Sequence, residues 1–272
     1  PALPEQGVPS CPLWAFLVAI STRLCGVTLF SARLPSAIIG TLSIPLAWVV
    51  VRSLLGRPAA WTAALFLCAS FWHIQFSRQC PLWVLLVAES LVVCWLLLGP
   101  STREKTAASA AAGLVVGLAC YEYPASLALD LWSVPVAILR AAITPGRRTF
   151  LAGLAFATGL AISLAPMANG IHGKVQLRRV TQISATNRNM PSEGRLIPFI
   201  NLFLPVKANS HQWTNHPAGA PRLSIVGRII LLTGLAALVL SGAVPPLLRI
   251  SSGLWLLLML LPEAVPGELH LT

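Results

Sequence analysis

The chain has 272 residues, of which 56% are hydrophobic and 10% charged, and its mean hydropathy is +0.77. Soluble domains carry about 25% charged residues, so an ordinary soluble fold is excluded. The net charge of +11 would suggest nucleic acid in a soluble protein. Here the cations sit between apolar stretches, with no basic stripe beside a reading motif, so no nucleic-acid partner is expected.

The chain opens at Pro1 on a Pro-rich polar stretch, without an initiator Met or a signal-peptide pattern, and this reads as the interior of a longer chain. Residues 12–27 are apolar but short and carry Arg23, which predicts an interfacial or re-entrant helix ended by Gly26. Eight apolar windows follow: 35–52, 58–76, 81–98, 107–121, 124–140, 150–168, 223–242 and 246–262. A spanning helix needs about 17–25 apolar residues, and 107–121 is the marginal window. Pro35, Pro58, Pro81 and Pro124 are each placed in a first helical turn, where a missing N–H is harmless. Gly113 and Gly117, four apart in an Ala-rich stretch, predict close helix packing.

The expected fold is therefore all-α, a polytopic transmembrane bundle of about eight spans plus the interfacial helix. Residues 1–34 form one segment, 35–170 the first six spans, 171–222 a long loop, 223–262 the last two spans and 263–272 a tail. Connections with Arg52/Arg57, Arg103/Lys105, Arg140/Arg147/Arg148 and Arg249 alternate with less basic ones. By the positive-inside rule the first set is cytoplasmic, which places 1–34, 77–80, 121–124, 171–222 and 263–272 outside. The loop 171–222 is itself basic, but long loops cross regardless of charge. Its apolar island, Ile197–Pro205, suits a membrane surface. A multi-pass protein of a bacterial plasma membrane is the expected localisation.

Few residues remain to carry chemistry. Arg33, Arg78 and the Tyr121-Glu122-Tyr123 element each precede an expected helix start on the outer face, where free N–H groups and a guanidinium fork favour phosphate. The competing reading is that interfacial Arg and Tyr only anchor helix ends. Glu89 lies mid-span, where a carboxylate is costly unless it faces a polar interior or holds its proton. Asp130, about two turns into its span, could reach an aqueous cavity as a base. His211, Trp213, Asn215 and His216 in the long loop offer sugar stacking and hydrogen bonding, and form a weak metal signal. Cys68, Cys94 and Cys120 read as packing residues, while Cys11 and Cys80 fall on one face where a disulfide is chemically possible. No Cys/His set has metal-ligand spacing, so neither metal nor cofactor is expected.

Arg33-Leu-Pro-Ser-Ala-Ile-Ile-Gly40, Leu55-Gly-Arg57, His73-Ile-Gln-Phe-Ser-Arg78, Gly113 to Tyr123 and Asn215 to Pro221 fall in the order seen in bacterial glycosyltransferase family 39 proteins. The likeness covers most of residues 10–270. That family is similar to protein O-mannosyltransferases and aminoarabinose transferases and has the GT-C membrane fold. The resemblance implies transfer of a sugar from a polyprenyl-phosphate donor, in contact with membrane lipid, to an acceptor on the outer face. It also implies a catalytic Asp in a loop before Pro12, upstream of residue 1, so that this stretch alone is expected to be inactive. Leu127 stands where relatives often carry Arg, and Asn209-Ser210 where they are commonly acidic. Two rival readings stand beside the transferase: a secondary transporter centred on Glu89, and a non-catalytic membrane scaffold.

Overall fold

The computed structural model describes residues 12–79, 83–99, 106–122, 126–143, 146–169, 233–234, 236 and 244–254. The chain divides into two compact units, Pro1–Arg178 and Arg179–Thr272. Among the described residues all regular structure is helical. The first unit holds α1 (Pro12–Cys25), α2 (Leu29–Leu55), α3 (Arg57–Ala69), α4 (Phe71–Gln79), α5 (Trp83–Leu98), α6 (Thr106–Ala119), α7 (Ser126–Ile143) and α8 (Arg147–Asn169). In the second unit, residues 246–254 are helical, and Arg249 Nε donates to Val244 O at 2.9 Å before that turn.

Among the described residues two helices, Leu29–Leu55 and Arg147–Pro166, are long and apolar enough to cross a membrane. Of the eight expected windows, 35–52 and 150–168 fall largely in these two helices. The window 58–76 is not one helix but two, α3 and α4, broken at Ser70. Ser70 is extended, and its Oγ accepts from the His73 backbone N–H at 3.4 Å, so it caps a new helix inside the apolar run. The windows 223–242 and 246–262, the loop 171–222 and the tail fall mostly or wholly outside the described residues.

Gly26 ends α1 as expected, with φ at +78°, a conformation that side chains disfavour. The start of α2 differs from the expectation. Thr28 caps it in a reciprocal box with Ser31, so the helix begins at Leu29 and Pro35 lies inside it. Pro35 has no N–H to offer the Ser31 carbonyl, and Ser21 Oγ of α1 donates to that carbonyl instead, at 2.6 Å. The proline thus frees an acceptor that fastens α1 to α2.

Inter-helix contacts set the directions of the chain. His73 Nε2 of α4 lies 2.9 Å from Gly40 O and 3.2 Å from Ser43 Oγ of α2, and a Cβ on Gly40 would run into Ser77. Rising numbers on one helix meet falling numbers on the other, so α2 and α4 are antiparallel. A carbonyl can only accept, so this His73 nitrogen carries the proton. By contrast α6 and α8 are parallel and closely packed. A Cβ on Gly113 would run into Phe156 O, one on Gly159 into Ala110 O, and one on Gly117 into Ser163 Oγ. The close packing expected of Gly113 and Gly117 is present, and Gly159 completes it from the other side.

Candidate functional site: a carboxylate junction beside an apolar pocket

The alternating directions bring the start of α2, the end of α4, the starts of α5 and α7, and the ends of α6 and α8 to one end of the first unit. Arg140 is buried near the opposite end, where its Nη1 donates to Leu97 O of α5 at 2.9 Å. Arg52, Arg57, Arg147 and Arg148 belong to helix termini of that same basic end. Arg52 lies over the Trp48 ring at 4.9 Å, and Trp48 meets Trp61 edge-on at 5.7 Å.

At the other end the described acidic side chains gather. Glu89 comes from α5, Glu122 from the turn that closes α6, and Asp130 from the first turns of α7. Glu89 is only 7% exposed and Glu122 1%. Glu89 lies within electrostatic range of both Glu122 and Asp130. The Cys120 thiol donates to Asp130 Oδ2 at 2.9 Å. Asp130 Oδ1 and Glu89 Oε2 are buried without a hydrogen-bond partner. Burial pushes the Glu122 carboxyl up from 4.5 to about 8, because desolvation disfavours its charged form. Among the described residues no group of three or more His, Cys, Asp or Glu is arranged to hold a metal ion.

Tyr121 sits beside this junction, and its hydroxyl donates to Ser163 O of α8 at 2.8 Å. Ser163 is one turn before Pro166, whose ring disturbs the helical ladder there. Leu13 and Phe16 of α1, Leu118 and Tyr121, and Ile162, Ser163 and Pro166 of α8 line an open apolar pocket of about 440 Å³. Sequence reasoning did not find this pocket, because its walls are apolar residues indistinguishable from packing positions.

Arg33 and Arg78 are both exposed. Arg33 is the fifth residue of α2 rather than a residue ahead of it, and Arg78 lies in the last turn of α4. Arg33 therefore does not precede a helix N-terminus as its proline neighbour suggested, whereas Arg78 does come ahead of the next helix, α5. Tyr123, His211, Trp213, Asn215 and His216, together with Cys11 and Cys80, lie outside the described residues. The junction of Glu89 with Glu122 and Asp130 was missed as a group. The three acids are 33 and 8 positions apart, and only the pairing of α5, α6 and α7 brings them together.

Residues 8–172 match the family described as dolichyl-phosphate-mannose-protein mannosyltransferase. The chain is also similar to undecaprenyl phosphate-alpha-4-amino-4-deoxy-L-arabinose arabinosyl transferase 2 of Pseudomonas fluorescens. The two are 36% identical over 108 residues, which is 38% of this chain and 18% of that protein. The matched stretch thus spans under a fifth of the relative's length. No solved structure matches the chain.

Proposed function

The chain belongs to the dolichyl-phosphate-mannose-protein mannosyltransferase family, and from that premise we propose that it is part of a membrane glycosyltransferase using a polyprenyl-phosphate-linked sugar. The donor lipid named in the Pseudomonas fluorescens relative, undecaprenyl phosphate, is the model for its ligand. One observation carries the reading for this chain: the apolar pocket between α1, α6 and α8 opens beside Tyr121. It lies at the end of the unit where Arg33 and Arg78 stand exposed. A prenyl phosphate has an apolar tail for such a pocket and an anionic head for such cations.

In this reading Arg33 and Arg78 hold the phosphate, with Tyr121, Glu122 and Tyr123 ordering the mouth. His211, Trp213, Asn215 and His216 of the long loop have the side-chain chemistry to stack on and hydrogen-bond a sugar or an acceptor. The reaction is displacement at the anomeric carbon, in which a carboxylate takes the acceptor's proton and the cations stabilise the departing phosphate. The excess of Arg at the other end of the helices supports, by the positive-inside rule, a cytoplasmic position for that end and an outer-face pocket mouth.

The test is binding of radiolabelled undecaprenyl phosphate to the protein in lipid nanodiscs. Loss of a guanidinium–phosphate contact is worth about 1.5–3 kcal/mol, so Arg78→Ala should weaken binding at least about tenfold. Unchanged affinity removes Arg78 from the site, and absence of binding by the unaltered protein removes the donor assignment.

A further inference from the structure

The basic end of the first unit carries a surface that the donor reading leaves unused. It is built where α2 ends and α3 begins, around Gly56, the single residue between the two helices. Arg52 stands in the last turn of α2 and Arg57 is the first residue of α3, and both are exposed. Among the described residues no carboxylate pairs with either guanidinium. The described acids, Glu89, Glu122 and Asp130, gather at the opposite end. The Arg52 guanidinium is held 4.9 Å from the centroid of the Trp48 ring, and Trp48 meets Trp61 of α3 edge-on at 5.7 Å. A guanidinium placed over an indole is fixed in position while its N–H donors remain available to an anion.

Both helices repeat one order of side chains away from this end. On α3, Arg57, Trp61 and Leu65 recur every four residues, so they share a face, each about 6 Å deeper than the last. Trp61 is 59% exposed and Leu65 65%, whereas Ala60 and Ala64 are buried. On α2, Trp48 lies one turn inward of Arg52. A cation, then an indole, then an aliphatic chain is the order in which a phospholipid presents phosphate, glycerol esters and acyl chain.

We propose that the α2–α3 corner is a binding site for an anionic phospholipid of the phosphatidylglycerol kind. Arg52 and Arg57 take its phosphate from two helices, and the exposed face of Trp61 and Leu65 receives the glycerol backbone and one acyl chain. A zwitterionic phospholipid brings an ammonium group against the same two guanidinia, so charge selects against it. The site does not depend on the donor reading, because the apolar pocket opens at the other end of the helices.

The test places the full chain in phosphatidylcholine vesicles containing phosphatidylglycerol with brominated acyl chains. Quenching of tryptophan fluorescence is compared with that from brominated phosphatidylcholine at the same mole fraction. One arginine at a membrane surface favours an anionic lipid about fivefold, so phosphatidylglycerol should be preferred at least that much. The preference should vanish in the double variant Arg52→Gln/Arg57→Gln and persist in Arg52→Lys/Arg57→Lys, which separates loss of charge from loss of fold. Trp61→Phe keeps both charges and should remove part of the selective quenching. Arg147→Gln, at the same end but on α8, should leave the preference intact. Equal quenching by the two lipids, a preference that survives the double glutamine variant or is lost in the lysine one, or an equal loss in Arg147→Gln overturns the proposal. Undecaprenyl phosphate binding is measured alongside and should be unchanged in Arg57→Gln. If it is absent throughout while the phosphatidylglycerol preference persists, the donor reading fails and this site stands. If Arg57→Gln abolishes both, the corner serves the donor and the proposal is overturned.

Discussion

At the scale of single residues, His73 shows how polar groups inside an apolar bundle are placed. Its Nε2 donates across to α2, toward Gly40 O and Ser43 Oγ. The motif segments around Gly40 and His73 stand 33 positions apart in the sequence and meet as one knot. His73→Ala is expected to lower unfolding stability by about 1–2 kcal/mol, the range for a buried hydrogen bond plus a small void, measured by thermal or denaturant unfolding in detergent. His73→Asn should recover part of the loss, since an amide N–H can replace the donor. Glu122 gives a pH-dependent counterpart. Its folded-state value of about 8 lies above the unfolded 4.5, so the folded state holds the proton through that window. Stability contributed by Glu122 is therefore intact below 4.5 and declines as pH rises toward about 8. Melting temperature across that range should fall for the native chain, and Glu122→Gln should flatten its slope.

At the scale of elements, α6 and α8 have approached until backbone touches backbone, which only glycine permits at Gly113 and Gly159. Both contacts are with carbonyl oxygens, which cannot swing aside as a side chain can. Gly113→Leu is expected to cost at least about 1–3 kcal/mol as overpacking, with an open helix pair in cross-linking. Gly153→Leu in α8 is the control, since no atom lies within 4 Å of the added carbon, and it should stay near native stability. Half of this interface was legible. Gly113-x-x-x-Gly117 announced a packing surface, and Gly159-x-x-x-Ser163 was the matching signal on α8. The break of α3 from α4 was not legible, because Ser70 sits in an apolar run whose hydropathy hides a cap. The early start of α2 was masked in the same way, by a Thr28–Ser31 box without the usual acidic partner.

At the scale of the whole first unit, the two ends differ in charge and in surface. One end carries Arg52, Arg57, Arg147 and Arg148 with the Trp48–Trp61 pair, and the other carries the carboxylate junction, Arg33, Arg78 and the pocket. α1 is too short to cross hydrocarbon, at 14 residues or about 21 Å. Its exposed Phe16, Ile20 and Leu24 recur at four-residue spacing, as an interfacial helix requires. Cys25 is exposed at its end. In sealed right-side-out vesicles, a membrane-impermeant maleimide should label Cys25, whereas a cysteine at Arg147→Cys should react only after permeabilisation. The reverse pattern would put the pocket mouth in the cytoplasm and end the donor reading.

Composition and the order of short motifs were sufficient by themselves to establish a helical membrane protein of this transferase family, because hydropathy and motif spacing are properties of the linear chain. Helix boundaries near Pro58 and Gly26 followed from the same local rules, since a missing N–H or a positive φ acts within one turn. The pairing of α6 with α8, the knot at His73 and the meeting of Glu89, Glu122 and Asp130 were decided by tertiary structure. Each depends on which helix lies beside which and in what direction. Apolar faces carry little of that information, because one leucine-rich surface fits another about equally well, and only close backbone approach and buried polar partners choose between them.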